Sequence, residues 1–140
     1  MDHRDAAGQP GQAPPELIAA LKDEDQQVRC KVAEAFVKMG PGIRPAIPHL
    51  VAALDDAYYN VAEESANALA SLGAEGVTIL IQALNGKSRQ AQCSAAEALG
   101  RCGGAAREAL PVLERLSKQS KDDAVRRAAG RAMREIRGKN

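Results

Sequence analysis

The sequence has 140 residues, about the length of one domain, with a formal net charge of +1. It holds no Trp, one Phe and two Tyr. This composition argues against a β-sandwich or β-barrel, whose strands need alternating β-branched and aromatic residues. The net charge alone points to neither nucleic acid nor a membrane as partner. The charges are unevenly distributed, however, since residues 1–70 contain 6 Lys+Arg against 11 Asp+Glu and residues 71–140 contain 13 Lys+Arg against 7 Asp+Glu. The N-terminal half is therefore acidic and the C-terminal half basic.

In chain order, residues 1–13 come first, rich in Gly, Pro, Gln and charge without helical periodicity, which predicts a disordered tail. Residues 14–140 are predicted to form a single repeat domain, with units of about 14–43, 44–76, 77–105 and 106–137. The predicted helix pairs are 15–21 with 26–39, 45–54 with 58–72, 77–84 with 88–102, and 107–117 with 122–137. Pro48 lies late enough in its helix to be predicted to bend it.

An Ala-rich helical block that ends at a glycine recurs along the chain. The glycines are Gly40, Gly73 and Gly103, and each follows a leucine by nineteen residues, namely Leu21, Leu54 and Leu84. Each unit of such a repeat buries its apolar stripe only against its neighbours. The spacing therefore predicts an all-α fold, an α-solenoid of about four antiparallel helix pairs with an extended surface.

The repeated blocks also resemble a known family. VRCKVAEAFVKMG, VAEESANALASLG, AQCSAAEALGRCG and AVRRAAGRAMREI resemble the second helix of HEAT-like repeats of the phycobilisome-lyase type, and PAIPHLVAAL and EALPVLERL resemble the first helix. The resemblance covers about residues 15–137 and implies a HEAT-like superhelix. The family includes adaptors, chromophore-lyase subunits, hydroxylases and DNA-repair glycosylases, so the resemblance does not imply one activity.

Helical periodicity predicts which side chains of the second helices face outward. At 100° per residue, Val28, Val32, Phe36 and Met39 form one apolar arc and are predicted as core. In a superhelix of helix pairs the second helices line the concave side, so the polar arc faces a groove. The predicted partner-binding residues are Glu34 in the first unit, Tyr59, Asn60, Glu63, Glu64 and Asn67 in the second, Arg89, Glu97 and Arg101 in the third, and Arg127 and Arg131 in the fourth. The groove should run from a glutamate-rich patch to an arginine-rich patch, which suits a protein of opposite polarity.

The second helix of the family's repeat begins with Val-Arg, which Val28-Arg29 and Val125-Arg126 match, and this arginine is predicted to have a structural role. Arg29 and Arg126 are expected to bond acidic turn residues in the seam between repeats. Ala62 and Gln92 take the place of the arginine in the middle units and interrupt this series of bonds. Of the two tyrosines, Tyr59 is the preferred binding hot spot, and Tyr58 is expected to pack.

Catalysis, a metal site and other cofactors are not expected. Glu63 and Glu64 are adjacent on a helix and point about 100° apart, with no nucleophile or metal ligand beside them. His49 is the only histidine inside the repeats, and the His-Glu pairs with which the hydroxylase branch binds iron are absent. Cys30 and Cys93 lie two units apart, roughly 20 Å, too far for a disulfide. A chromophore-attaching thiol at Cys93 is a minor alternative.

The sequence therefore predicts a non-enzymatic scaffold or adaptor that binds another protein, as a helix or an extended segment, in the concave groove. One alternative is nucleic-acid or phosphate binding through Arg126, Arg127, Arg131, Arg134 and Arg137, which the acidic N-terminal half opposes. A weaker alternative, implied by the family resemblance, is a bilin-lyase-like subunit. We expect a monomer or weak homodimer. We also expect it to lie in the cytoplasm without membrane contact, because there is no apolar leader and no 18-residue apolar run.

Overall fold

The computed structural model describes residues 11–138, which contain helices and no strand. The first unit comprises α1 (Pro15–Ala19), a 3₁₀ helix (Ala20–Lys22) and α2 (Gln26–Val37), and the second a 3₁₀ helix (Gly40–Ala46), α3 (Ile47–Ala53) and α4 (Tyr59–Ala70). The third comprises α5 (Ala74–Leu84) and α6 (Arg89–Cys102), and the fourth a 3₁₀ helix (Gly103–Ala109), α7 (Leu110–Gln119) and α8 (Asp123–Arg137). The predicted all-α solenoid of helix pairs is confirmed.

The second helices of the units begin and end at residues that the repeat pattern places there. Side chains cap three of their N-termini: Asp25 accepts from the N–H of Gln27 at 2.8 Å, Ser88 from Ala91 at 3.1 Å and Asp122 from Ala124 at 2.8 Å. After the helices, Gly40, Gly73 and Gly103 have φ values of +59°, +74° and +62°. A side chain strains this left-handed backbone, which explains the recurring glycine.

The first helices differ most from the predicted bounds. Residues Gly40–Ala46 form a 3₁₀ helix, and α3 begins only at Ile47, with Pro48 in its first turn. Pro48 is therefore not as late in its helix as predicted, and a residue in the first turn needs no N–H donor. Pro111 has the same place in α7, whereas α5 begins earlier than predicted, at Ala74.

The tail boundary also differs from the prediction. Residues 1–10, most of the predicted disordered tail, lie outside the described residues. Ala13 is buried, and its backbone N–H donates to the carbonyl oxygen of Gly42 at 2.9 Å. Ala13 therefore belongs to the folded domain, since its amide is satisfied and its side chain is packed.

The second helices form the more closely packed layer of the stack. Helix α2 packs on α4, α4 on α6 and α6 on α8, whereas the first helices contact chiefly their own partners. The core between the layers is aliphatic, with the fully buried side chains of Phe36, Leu50, Leu69, Leu80, Leu99, Leu113 and Ile136. Buried alanines such as Ala66, Ala95 and Ala129 let the helices approach closely.

Two residues predicted as core are not fully buried, since Met39 is partly buried and Val28 is exposed. Val28 is 36% exposed, whereas Val61 and Val125 at the matching positions are 0% and 1% exposed. The cause is position in the stack, because no earlier unit among the described residues covers the start of α2, and α1 is a single short turn.

Candidate functional site

The polar side chains of α2, α4, α6 and α8 form one surface, here called the inner face. It contains all the predicted partner-binding residues, and none of them is buried. Glu34, Asn60, Arg89, Arg101, Arg127 and Arg131 are exposed, and Tyr59, Glu63, Glu64, Asn67 and Glu97 are partly exposed. Nine of the eleven line three cavities, and Glu64 and Asn67 lie outside these cavities.

The first cavity, here called the arginine cleft, has a volume of about 290 Å³ and lies between α4, α6 and α8. It is lined by Tyr59, Arg89, Gln90, Cys93, Glu97, Ala124, Arg127, Ala128 and Arg131. Residues from three consecutive units thus meet at one place. Five of the predicted partner-binding residues are among them.

Tyr59 and Glu97 are joined across the arginine cleft. The Tyr59 hydroxyl donates to Glu97 Oε1 at 2.7 Å, which ties α4 to α6. Burial raises the pKa of Tyr59, and the hydrogen bond to the Glu97 carboxylate raises it further, so the hydroxyl stays protonated. The predicted hot spot therefore presents its ring to the cleft while its hydroxyl is already paired.

Arg89 is also paired, with a residue at the N-terminus of α8. Its Nε lies 2.9 Å from Asp122 Oδ2, and Asp122 caps α8 by accepting from the N–H groups of Ala124 and Val125. Although burial opposes the charged form, these amide bonds and the Arg89 guanidinium lower the pKa of Asp122. Asp122 was not among the predicted site residues, but its position before the helix, matching Asp25 and Ser88, is a signal that sequence reasoning could have used.

The thiol in the arginine cleft is protonated. Cys93 is buried, and burial raises the pKa of its thiol. A thiolate is the reactive form of cysteine, so this environment does not activate Cys93 as a nucleophile.

The second cavity, here called the mixed-charge cavity, has a volume of about 280 Å³ beside the arginine cleft. It is lined by Glu63, Glu97, Arg101, Ala128, Arg131, Ala132 and Glu135. Glu97 and Arg131 line both cavities. The predicted separation of an acidic patch from a basic patch is therefore wrong at this end, because glutamates alternate with arginines. Arg101 is held by Asn67, whose Oδ1 accepts from its Nη2 at 2.7 Å and its Nε at 3.2 Å.

The third cavity, of about 450 Å³, lies between α2 and α4 and contains Glu34 and Asn60. Its other lining residues are Gln26, Gln27, Cys30, Lys31 and Val61. Burial raises the pKa of the Cys30 thiol, and the charges of Glu34 and Glu64 raise it further. The lining of this cavity contains one glutamate and one lysine, so it carries no net charge.

The residues at the arginine of the Val-Arg position bond the backbone and side chains of nearby turns. Arg29 donates from Nε to Asp56 Oδ2 at 2.8 Å and from Nη1 to the carbonyl oxygen of Asp23 at 2.7 Å, as expected for the seam between repeats. Gln92 occupies the matching position in the third unit, where its Nε2 donates to the carbonyl oxygens of Leu84 and Gly86, both at 3.1 Å.

Arg126 differs from this pattern. It donates to the Ser120 carbonyl oxygen at 2.6 Å and pairs with Asp123. Both partners lie in its own unit, so the predicted bond in the seam between repeats is wrong for Arg126.

The described residues lack two further features. No three His, Cys, Asp or Glu side chains within residues 11–138 are grouped so that they could hold a metal ion. In the same part of the chain, no helix combines the length and the apolar character needed to span a membrane.

Comparisons with known proteins identify the family. The family described as HEAT repeats matches residues 6–70 and 77–139. No curated protein sequence matches the chain.

Two solved structures share the fold. One is the complex of CpcE and CpcF of phycocyanin lyase from Nostoc sp. PCC7120, with a TM-score of 0.62, 24% identity, and coverage of 87% of this chain and 76% of that chain. Another is an engineered protein, with a TM-score of 0.52 and 25% identity over 86% of this chain. The chain spans 61% of the length of that engineered protein. The sequence match extends over nearly the whole chain and agrees with the stacked helix pairs, and the chain belongs to the HEAT repeat family.

Proposed function

We propose that this chain is a non-enzymatic scaffold that binds another protein on its inner face. The observation that carries the proposal is the arginine cleft, where Tyr59, Arg89, Glu97, Arg127 and Arg131 meet from three consecutive units. An open surface lined by an aromatic ring and arginines is typical of protein interfaces, in which Tyr and Arg are enriched at hot spots.

Polar pairs between helices hold this surface in place before a partner arrives. The bonds Tyr59–Glu97 and Asn67–Arg101 both join α4 to α6. A side chain that is already ordered loses less entropy when it binds, so such a surface is preorganised. The protonated Cys93 thiol, by contrast, favours binding over nucleophilic catalysis.

The fold and the charges support a protein as the partner. Solenoids of stacked repeats present extended surfaces for binding, and the similar structure from Nostoc is a complex of two proteins. Nucleic acid fits less well, because Glu63, Glu97 and Glu135 lie among the arginines of the mixed-charge cavity. A phosphate backbone that followed the inner face would meet these carboxylates.

Affinity capture from the native lysate tests the proposal. Glu63→Lys with Glu64→Lys reverses two charges on the inner face, and Glu108→Lys with Glu114→Lys makes the same charge change on the outer surface. Both double variants should keep nearly the wild-type melting temperature, because exposed charges contribute little to stability. The inner-face variant should lose one specific protein, with an affinity loss of about 2 kcal/mol or more.

The outer variant is the control and should capture that protein within about 0.5 kcal/mol of the wild-type affinity. The proposal would be wrong if the outer variant lost the partner while the inner-face variant still bound it. Binding would then belong to the convex surface.

A further inference from the structure

The arginine cleft contains two arginines that form no ion pair with another residue of the described part of the chain. None of the salt bridges formed among residues 11–138 involves Arg127 or Arg131, although both are exposed at the cleft. They lie one turn apart on α8, where like charges destabilise each other. Arg89, at the same cleft, is by contrast neutralised by Asp122. An anion between Arg127 and Arg131 would relieve their repulsion.

The arginine cleft, with its volume of about 290 Å³, leaves room for a side chain. Three of its lining residues, Cys93, Ala124 and Ala128, are small. Other donors of the cleft already have partners, since the Tyr59 hydroxyl is bonded to Glu97, Arg89 to Asp122 and the Gln90 amide nitrogen to the Asp56 carbonyl oxygen. The guanidinium groups of Arg127 and Arg131 are therefore the donors that a ligand would meet, beside small side chains that suit the aliphatic part of an acidic residue.

We propose that the arginine cleft binds the carboxylate of an aspartate or glutamate of the partner protein, held between the guanidinium groups of Arg127 and Arg131. This inference rests on the proposed function and names the chemistry of the partner segment. The mixed-charge cavity favours separate carboxylates over a continuous phosphate backbone, because Glu63, Glu97 and Glu135 line it beside Arg101 and Arg131. A partner segment in which an acidic residue is followed by a basic or uncharged one places its carboxylate against the arginines and puts no second carboxylate against the glutamates.

Fluorescence anisotropy with a labelled peptide of alternating glutamate and alanine tests this site at low ionic strength. The wild type should bind the peptide, and Arg127→Gln with Arg131→Gln should weaken binding about tenfold or more, the effect of losing a charge-assisted hydrogen bond. Arg107→Gln with Arg115→Gln removes the same charge from the outer surface and should change affinity by less than about twofold.

A charge-preserving variant distinguishes binding by the two guanidinium groups from a general electrostatic attraction. Arg127→Lys with Arg131→Lys keeps both charges but loses the planar forked donors, so it should bind the peptide several-fold more weakly than the wild type. Binding equal to the wild type would overturn the proposal, because charge alone would then explain the attraction.

Two other outcomes would also overturn it. If duplex DNA of similar length bound more tightly than the peptide and lost affinity with the Arg127 and Arg131 changes, the cleft would be a nucleic-acid site, and the scaffold proposal would fail with it. If the wild type did not bind the acidic peptide, only the carboxylate site would fail. The scaffold proposal would still depend on the capture experiment with Glu63 and Glu64.

Discussion

Gly76 in the first turn of α5 gives a sharp test of the structure, because replacing it with alanine has two opposing effects. A glycine-to-alanine change inside a helix normally stabilises a protein by about 1 kcal/mol. At Gly76, however, an added Cβ would overlap the carbonyl oxygen of Leu69 and lie 3.2 Å from the Cα of Ala70. These are backbone atoms of α4, and the Leu69 oxygen already accepts from the N–H of Leu72 at 3.0 Å.

Backbone atoms cannot rotate out of the way, so α4 and α5 would have to separate. Overpacking costs typically about 1–3 kcal/mol, and an overlap with backbone atoms belongs to the upper part of that range, so the cost exceeds the gain of about 1 kcal/mol in helix propensity. We therefore expect Gly76→Ala to lower the free energy of unfolding by about 1–2 kcal/mol.

Gly130 in α8 is the matched control. The nearest atom to a Cβ at Gly130 is Arg134 Nη1 at 3.9 Å, the end of a flexible side chain. Gly130→Ala should therefore raise the free energy of unfolding by about 0.5–1 kcal/mol. Urea denaturation followed by far-UV circular dichroism measures both, provided the m-values agree. A Gly76→Ala protein as stable as the wild type would refute the close contact between α4 and α5.

Three other changes test the core, the cleft and the helix caps. Leu69→Ala and Leu99→Ala should each cost about 2–5 kcal/mol in urea denaturation, because both side chains are fully buried; a loss below about 0.5 kcal/mol at both sites would contradict the repeat register. Tyr59→Phe should cost about 1 kcal/mol, since Glu97 loses a hydrogen bond but is partly exposed to water; an unchanged free energy of unfolding would contradict that bond. Asp122→Asn should lower stability at neutral pH. Because the pKa of Asp122 is lowered in the folded state, the charge contributes above the ordinary aspartate range and is lost as pH falls through the folded pKa. The stability difference from the wild type should therefore shrink on acidification, and a constant difference would contradict the lowered pKa.

Local signals account for most of what the sequence predicts about the fold. Glycine after a helix, a capping Asp or Ser before it and a helical apolar period act within one unit, so they can be recognised in the sequence. The prolines also act locally, but the predicted bounds misplaced Pro48. It lies in the first turn of α3 because the preceding residues adopt a 3₁₀ helix.

The wrong predictions depend on what lies beside a residue in the stack. Val28 has the same local pattern as Val61, yet it is exposed because no earlier unit among the described residues covers it. Tyr58 was expected to pack, but it is 48% exposed, with the Arg29 guanidinium 5.7 Å from its ring centre. Neither environment follows from the period of a single helix.

The candidate site separates in the same way into a part that helical period predicts and a part that it does not. The period predicts the polar arc of the second helices, and the predicted partner-binding residues on it are exposed or partly exposed. Equivalent positions in the repeat, however, would put Tyr59 beside Arg89 and Asn67 beside Glu97. In the structure Tyr59 bonds Glu97 instead, two helical turns beyond Arg89. The offset arises from the way α4 and α6 cross, on which the period of one helix carries no information.

Contacts between neighbouring second helices determine which charges remain for a partner. Asn67 bonds Arg101, and Asp122 pairs with Arg89, so two of the predicted arginines are occupied within the chain. Arg127 and Arg131 then remain as the arginines of the cleft outside the salt bridges among the described residues. A list of groove-facing residues treats all four alike, whereas binding depends on the cations that the fold leaves without a counter-charge.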